Sequence, residues 1–359
     1  MPPVSPYQHR PRRTFWRTAV SGRTPVRVQE VADTTLRISP TDKIVTAGSC
    51  FAQHIAARLK GAGFNVLDYE PAPRRTSTHW QYQHGYGIYS ARYGNIYYVR
   101  QLLQLVQESL GMFQPAEAIW QKDGRYFDAL RPSVEPEGFE SVEEVAAHRA
   151  EHLKAVRRLV RDADVFVFTL GLTEGWEHVD SGTVYPTAPG TVAGVWDPQT
   201  IVFHNFTFSE ILDDLREVMK IIESQNPTVQ FLFTVSPVAL AATATDHHVM
   251  VANSYSKAIL RAVVGQITEN VENAHYFPSY DMITGMNSAA TLYEENQRSV
   301  HPDTVDIVMR RFMDELIIHE SDDLTKSSQE SQSGQSRTSQ KRITPEQQLC
   351  EDSLLEDFA

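Results

Sequence analysis

The stretch IVTAGSCFA, residues 44–52, decides the fold class of this chain of 359 residues. Its first four residues form a short apolar run, and apolar side chains then recur at helical spacing from Phe51 through Ile55. A buried strand that passes through a glycine turn into a helix is the building unit of α/β proteins. The turn places Ser49 and Cys50 at the carboxyl end of the strand, beside the unpaired amide groups of a helix N-terminus, where α/β enzymes hold a nucleophile.

Strand-like and helix-like runs alternate along the rest of the chain. Strands are predicted at 43–47, 65–67, 164–170, 229–235 and 274–277. Helices are predicted at 51–61, 141–161, 207–222, 256–267 and 304–318, the third of them from a capping-box pattern at Thr207 and Glu210. The strands at 164–170 and 229–235 are almost entirely apolar, as in strands buried on both faces. We therefore expect an α/β fold, a three-layer αβα sandwich with a mainly parallel sheet.

The composition divides the chain into three predicted regions. These are an irregular N-terminal arm at 1–24, an α/β domain at 25–320, and a disordered polar tail at 321–359. Within the domain, the polar segments near 69–92 and 179–205 are longer than ordinary connections, which predicts lids or substrate walls. The end of the tail, 345–358, contains leucines, so a small partner-binding helix is the alternative to a frayed end.

The charge and the motif content argue against several classes of function. The chain has 33 Lys and Arg against 45 Asp and Glu, a formal net charge of -12 at pH 7, whereas nucleic-acid and anionic-membrane binding depend on basic patches. No apolar run reaches the about 20 residues of a membrane span. Because the two cysteines, Cys50 and Cys350, stand far apart, we expect a reducing, cytoplasmic location. Without an HExxH, CxxC or phosphate-binding glycine motif, we expect no metal and no cofactor, and a small molecule as the partner.

Four motifs in order give a resemblance to a known family. They are GSCFA at 48–52, TLGLTEGW at 169–176, TVSPV at 234–238 and NSYSKAIL at 253–260. Over residues 15–315 the chain resembles the GSCFA-domain proteins, which are similar to the SGNH or GDSL hydrolases. The resemblance implies a flavodoxin-like three-layer fold and a reaction that cleaves esters.

The identity of the nucleophile depends on how the turn compares with GDSL enzymes. In those enzymes the nucleophilic serine stands two places after the glycine, a place that Cys50 holds here, and Ser49 stands where the aspartate would be. A gapless comparison implies a thiol nucleophile, and a slip of one residue implies Ser49. A helix N-terminus lowers the pKa of a thiol, while a serine needs a general base within reach. The alternative for either residue is a packing role.

An acyl-transfer site also needs hydrogen-bond donors for the developing oxyanion. Besides the amide of the nucleophile, Gly94 and Asn95 open an amphipathic helix and resemble the glycine block of SGNH proteins, although Asn95 is alternatively a helix N-cap. Gly171 and Thr173 follow the third predicted strand, and Thr173 stands where the resemblance implies an asparagine. Glu174 is a candidate for orienting the base or gripping the substrate, or else a solvated cap of the next turn.

The general base is expected from a histidine late in the sequence. SGNH enzymes draw it from a DxxH block, which implies His301, but Arg298 holds the place of the carboxylate. His247 and His248 follow the fourth predicted strand and are rivals at the same edge of the sheet. The third option is that none of these histidines acts as a base.

Two functions from different classes are consistent with these residues. The first is an SGNH-like esterase or acyltransferase that forms a covalent acyl-enzyme and acts on a small ester or an acylated glycan. The second is a non-catalytic carbohydrate- or partner-binding module on the same fold, which the altered base and oxyanion positions favour. A site of either kind requires the turns at 49–50, 94–95 and 173–174 to converge.

Overall fold

The computed structural model describes residues 5–21, 28–285, 292–318 and 354–355. Numbered along the chain, its strands are β1 (Ile44–Gly48), β2 (Ile119–Lys122), β3 (Arg125–Asp128), β4 (Val165–Leu170), β5 (Glu174–His178), β6 (Val184–Tyr185), β7 (Ile201–Asn205), β8 (Gln230–Val235) and β9 (Ala274–Tyr276). Its helices are α1 (Trp16–Ala19), α2 (Ala52–Gly61), α3 (Thr78–Gln83), α4 (Val99–Ser109), α5 (Val142–Asp162), α6 (Phe208–Gln225), α7 (Val249–Asn270), α8 (Ser279–Thr284) and α9 (Pro302–Leu316). Within these described ranges, none of the helices has the length and apolar character of a membrane span.

The predicted tail, and the candidate helix at its end, lie outside the described residues except for 354–355. Residues 1–4 and 22–24 of the predicted arm also lie outside them. The rest of the arm contains α1, preceded by a 3-10 helix at Arg12–Thr14.

A four-stranded parallel sheet in the order β1-β4-β8-β9 forms the middle layer of the fold. β1 pairs with β4 along its whole length and ends with Gly48 opposite Thr169. β4 pairs with β8 in the same way and ends with Leu170 opposite Val235. Strands buried on both faces explain the nearly continuous apolar runs of the sequence. The carboxyl ends of β1, β4 and β8 therefore lie at one edge of the sheet.

Alternate strand residues contribute to two apolar clusters, one on each face of the sheet. Val45 and Ala47 belong to the cluster that contains buried residues of α4, α5, α6 and α7. Ile44 and Val167 belong to the cluster that contains those of α2, α8 and α9. Two helical layers enclosing a parallel sheet confirm the predicted three-layer α/β sandwich.

The segment at 65–67 does not form the predicted strand. Val66 makes a single bridge to Ile44, and the chain then leaves the edge of β1. Ser90 takes the next place along this edge, where its Oγ accepts a hydrogen bond from Thr46 N at 3.0 Å. The predicted helix at 256–267 begins earlier than expected, at Val249.

Two small antiparallel sheets, which the sequence analysis missed, lie outside the central sheet. β2 and β3 form a hairpin across Asp123 and Gly124, both with positive φ, of 50° and 75°, as in a type I′ turn. β5 pairs with both β6 and β7. The segment near 179–205 thus contains regular strands, and the segment near 69–92 contains α3.

Candidate active site

The turn after β1 is shaped by its close approach to β4. Gly48 has a φ of 135°, and a Cβ at this position would stand 2.5 Å from the carbonyl oxygen and 2.7 Å from the amide nitrogen of Thr169. The next residue, Ser49, donates its amide hydrogen to Thr169 O at 3.1 Å. The turn therefore requires glycine and is held against the carboxyl end of β4.

Ser49 is buried against the loop that follows β4. Its side chain is 2% exposed, and its Oγ has no hydrogen-bond partner among the described residues. A Cβ on Gly171 would stand 2.8 Å from Ser49 Cβ and 3.4 Å from its Oγ. A buried hydroxyl without a partner costs about 1–3 kcal/mol. A buried polar atom without a hydrogen bond is rare in proteins, and a catalytic role is one of the known reasons for it.

Cys50 has different surroundings from its neighbour. It is 3% exposed and belongs to the apolar cluster that also contains Phe51, Val238 and Val305. It is not part of a disulfide. A packing role therefore fits Cys50 better than it fits Ser49, which lies against Gly171. A nucleophilic role for either residue stays a prediction.

Asn95 is held by a network of buried side chains. Its Oδ1 accepts hydrogen bonds from the hydroxyl of Tyr89 at 2.7 Å and from Gln53 Nε2 at 3.3 Å. Its Nδ2 donates to the hydroxyl of Tyr97 at 3.2 Å. The N-cap of α4 is Tyr98, so Asn95 is not the N-cap of this helix.

Backbone hydrogen bonds join the turns at Ser49 and Asn95 to the loop after β4. Ile96 N donates to Gly48 O at 2.9 Å, and Tyr97 O accepts from Gly171 N at 3.2 Å and from Leu172 N at 3.0 Å. The structure thus brings the three segments together. The amides of Gly171 and Leu172 are occupied in this way, so they do not serve as oxyanion donors in this arrangement.

Helix α7 holds the same loop from its other side. Ser256 Oγ accepts from Thr173 N at 3.1 Å, and Lys257 Nζ, on a side chain that is 1% exposed, donates to Gly171 O at 2.7 Å. The hydroxyl of Thr173 donates to Asn205 Oδ1 at 2.7 Å. Thr173 would therefore have to leave Asn205 before it could donate to an oxyanion.

Glu174 faces the loop after β8. Its carboxylate accepts hydrogen bonds from Thr243 Oγ1 at 2.8 Å and from Ala244 N at 3.3 Å. Burial raises the pKa of this carboxyl group above its usual range. The side chain is 8% exposed and lines a cavity of about 260 Å³ together with Leu172 and Trp176. Glu174 is therefore not the solvated cap of a turn that was the alternative expectation for it.

Two of the three candidate histidines are helix N-caps. His301 Nδ1 accepts from Asp303 N at 3.2 Å at the start of α9, and His248 Nδ1 accepts from Met250 N at 3.2 Å at the start of α7. His247 is exposed. A neutral imidazole that accepts at Nδ1 carries its proton on Nε2. His301 and His248 must therefore leave their caps before Nε2 can accept a proton.

The segment before His301 lies over the loop that follows β8. Arg298 Nε donates to Ala239 O at 3.1 Å, and the hydroxyl of Tyr293 donates to Pro237 O at 3.4 Å. His301 is thus attached to the edge of the sheet at which Ser49 lies. Its role as the base is still a prediction.

A model of the GSCFA family matches residues 43–312, a stretch that includes every turn of this site. The chain belongs to the GSCFA family. No curated protein matches this GSCFA protein.

One solved structure similar to the GSCFA protein is "Salicylyl-Acyltransferase SsfX3 from a Tetracycline Biosynthetic Pathway". The two chains are 16% identical, with a TM-score of 0.26. The alignment covers 45% of the GSCFA protein and 40% of the other chain. A similarity of this extent does not indicate the activity of the GSCFA protein.

The buried amides that fix the Asn95 turn of the GSCFA protein were not among the residues predicted from the sequence. Gln53 Oε1 accepts from the hydroxyl of Tyr82 at 3.0 Å. Gln101 Nε2 donates to Asn95 O at 3.0 Å, and its Oε1 accepts from Tyr97 N at 2.9 Å. Both glutamines occupy buried positions of amphipathic helices. A polar residue in an apolar stripe was the signal that could have found them, since buried amides require partners.

The GSCFA protein has a further histidine, on α2, that was not among the candidates. The ring of His54 packs edge-on against that of Phe51, with 5.5 Å between the centroids. Burial, followed by the charge of Arg58, lowers the pKa of His54 to about 4, with Asp306 acting in the opposite direction. His54 is therefore neutral at pH 7.

We expect the stability of the GSCFA protein to fall as the pH drops from 6.5 toward 4. Unfolded His54 titrates near its ordinary pKa of 6.5, whereas folded His54 titrates near 4. The unfolded state binds more protons between these values, so the free energy of unfolding rises with pH across this window. Urea unfolding of the wild type and of His54→Gln at several pH values measures the effect. The variant should lose less stability on acidification, and equal losses would contradict the assignment.

Proposed function

We propose that this GSCFA protein is an esterase or acyltransferase that forms an acyl-enzyme on Ser49. The observation that carries the proposal is the buried Ser49 Oγ, which has no hydrogen-bond partner among the described residues and lies against Gly171 at the carboxyl edge of the sheet. A nucleophile at this place is typical of α/β hydrolytic enzymes. The resemblance of the GSCFA motifs to SGNH or GDSL hydrolases supports the same class of reaction.

The proposed reaction has two covalent steps. Ser49 Oγ attacks the carbonyl carbon of the ester and transfers its proton to a general base, and the bond from this carbon to the alcohol oxygen breaks. The alcohol leaves with the proton from the base. Water, or the hydroxyl of an acceptor, then attacks the acyl carbon and gives its proton to the base. The bond from this carbon to Ser49 Oγ breaks, Oγ takes the proton from the base, and the acid or the new ester leaves. His301 is the candidate base, and it must first release Asp303 N from its Nδ1.

Two side chains are placed to stabilise the negative charge that develops on the carbonyl oxygen. Asn95 Nδ2 donates to the hydroxyl of Tyr97 at 3.2 Å, and in the proposed reaction it exchanges this partner for the oxyanion. Lys257 Nζ donates to the carbonyl oxygen of Gly171, the residue whose Cα side lies against Ser49. Fixed dipoles and charges of this kind supply much of the rate enhancement in acyl transfer.

The cavity next to Glu174 suits a small apolar acyl group. Its walls include Leu172, Trp176, Phe203 and Leu240, and its volume is about 260 Å³. This is slightly below the usual range for sites that hold drug-sized ligands, about 300–1,000 Å³. A short acyl chain therefore fits, and the alcohol part of the ester, a glycan hydroxyl included, extends outside it. Since Ser49 is 2% exposed, the surrounding loops must open to admit the ester.

The second candidate function is a binding module without catalysis. The observation that favours it is the capping role of His248 and His301, each of which has its Nδ1 occupied by a backbone amide. The engagement of the Thr173 hydroxyl by Asn205 points the same way. In this case the site binds a carbohydrate or a partner without a nucleophilic step.

We expect a fluorophosphonate probe to label Ser49 in the native protein and not after denaturation in urea. Labelling with this probe and with a chloroacetamide, followed by peptide mapping by mass spectrometry, measures the reactivity of both nucleophile candidates. His301→Ala should slow the labelling of Ser49 by about 10²–10⁴-fold, the usual contribution of a general base.

His248→Ala is the matched control for this experiment, because it also removes a histidine cap, which costs about 1 kcal/mol. Its labelling rate should stay near that of the wild type. Labelling of Cys50 alone would move the nucleophile to the thiol. Labelling of neither residue would leave the binding module as the better function.

A further inference from the structure

The cavity beside Glu174 has one wall residue from a distant part of the chain. Leu355 lines it together with residues of β5, of the loop after β4 and of the loop after β8. Ile318 ends the preceding described range, so 36 residues separate it from this wall residue. A chain of that length spans roughly 120 Å when extended, which is ample for the segment to reach the cavity.

The two described residues of this segment differ in exposure. Leu354 is 40% exposed, whereas its neighbour Leu355 is half-buried and lies against the cavity. The other walls include the apolar side chains of Leu172, Trp176 and Leu240. Burying a leucine fully is worth about 1.5–3 kcal/mol, so partial burial gives a weak contact. Because the segment belongs to the same chain, its effective concentration lies in the millimolar range, at which a weak contact is populated.

We propose that this cavity is a docking site for the chain's own segment around Leu355. The leucine side chain is a branched group of four carbons, of the same chemical class and size as the short acyl group that the cavity walls favour. The volume of about 260 Å³ is the space that remains with Leu355 in place as a wall, so the docked segment closes one side of the cavity and its release enlarges the opening. Leu172 lines the same cavity as Leu355, and it directly follows Gly171, which lies against Ser49.

Cysteine alkylation in the full chain tests the docking without reference to any activity. Leu355→Cys and Leu354→Cys are each made together with Cys350→Ser, and the rate of alkylation by iodoacetamide is measured by mass spectrometry. We expect the cysteine at 355 to react at least fivefold more slowly than that at 354 in the native protein, and at the same rate in urea. Equal native rates would overturn the proposal.

A substitution on the cavity side identifies the place where the segment docks. Ala242→Trp adds a large ring to the cavity wall and should raise the native alkylation rate at position 355 to that at 354. The rate at 354 should not change. If the protection of position 355 survives this substitution, the segment is held elsewhere and the cavity is not its docking site.

The effect of docking on the nucleophile rests on the proposed function and is measured separately. Leu355→Asp should label at Ser49 at least threefold faster with the fluorophosphonate than Leu354→Asp does. If no variant is labelled, the proposed function fails while the alkylation pattern still decides the docking. If the alkylation pattern holds but both aspartate variants label alike, the segment docks without restricting Ser49.

Discussion

Gly48→Ala should destabilise the protein by about 3 kcal/mol or more, because it combines two separate costs. The φ of 135° at Gly48 is one that side chains with a Cβ rarely adopt, which costs about 1–3 kcal/mol. The new Cβ would also stand 2.5 Å from Thr169 O, so β1 would have to move away from β4, at a further cost of about 1–3 kcal/mol. Thermal and urea unfolding, with circular dichroism as the readout, measure the loss.

Two other glycines separate the contributions of backbone strain and close contact. Gly63 has a φ of 83° and open space where a Cβ would lie, and Gly61 has open space and an ordinary φ. Gly63→Ala should therefore cost only the strain, about 1 kcal/mol, and Gly61→Ala should be neutral or slightly stabilising. A Gly48→Ala variant no less stable than Gly63→Ala would show that β1 and β4 can separate without cost.

Ser49→Ala should abolish catalysis and at the same time stabilise the fold. Loss of the nucleophile removes the acyl-enzyme route, and in hydrolases such losses reduce kcat by up to about 10⁶-fold. The alanine also removes a buried hydroxyl that has no partner among the described residues, which should raise the free energy of unfolding by about 1 kcal/mol. Hydrolysis of p-nitrophenyl acetate and butyrate, together with urea unfolding, measures both effects.

Ser236→Ala is the matched control, since it alters another buried serine at the same edge of the sheet. Ser236 Oγ accepts a hydrogen bond from Val238 N at 3.3 Å, so its loss should lower stability by about 1 kcal/mol and leave turnover unchanged. The two serines should therefore change stability in opposite directions. Full turnover in Ser49→Ala would exclude Ser49 as the nucleophile, and Cys50→Ala would then be the next variant to assay.

The long buried strands and the capped helices of the central layers could be predicted from the sequence. The runs at 164–170 and 229–235 match β4 and β8 to within one residue at each end, because burial on both faces imposes an apolar run of that length. The pattern at Thr207 and Glu210 forms the reciprocal capping box that starts α6. These features depend on neighbouring residues, which a sequence displays directly.

The small sheets were missed because their strands are either too short for a periodic pattern or lack a continuous apolar run. β5 and β7 are as long as β1, but their sequences, EGWEH and IVFHN, contain polar residues and are only partly buried. β6 has two residues, and β2 and β3 have four each. The turn of the hairpin was nevertheless visible as Asp123-Gly124, a common type I′ pair.

The place of the site in the fold could be predicted from the sequence, but the roles of its residues could not. The turns at 49–50, 94–95 and 173–174 were predicted to converge, and hydrogen bonds join Gly48 to Ile96 and Tyr97 to Gly171 and Leu172. The different surroundings of Ser49 and Cys50 depend on the backbone angles of the turn, which no spacing reveals. His301 and His248 have the positions of general bases in the sequence, yet in the fold they satisfy helix amides. Sequence position does not tell a base from a cap, because both precede a helix.

The pairing of β1 with β4 also has a consequence for biosynthesis. Lys43 and Asp164, at the starts of the two strands, contact each other across 121 residues of chain. At a translation rate of about 5–20 residues per second, β1 leaves the ribosome roughly 6–24 s before its partner strand is complete. Throughout this interval a nascent apolar strand has an unpaired edge, which is a template for aggregation. The strand that leads into the candidate nucleophile is thus the part of the central sheet that waits longest for its partner during synthesis.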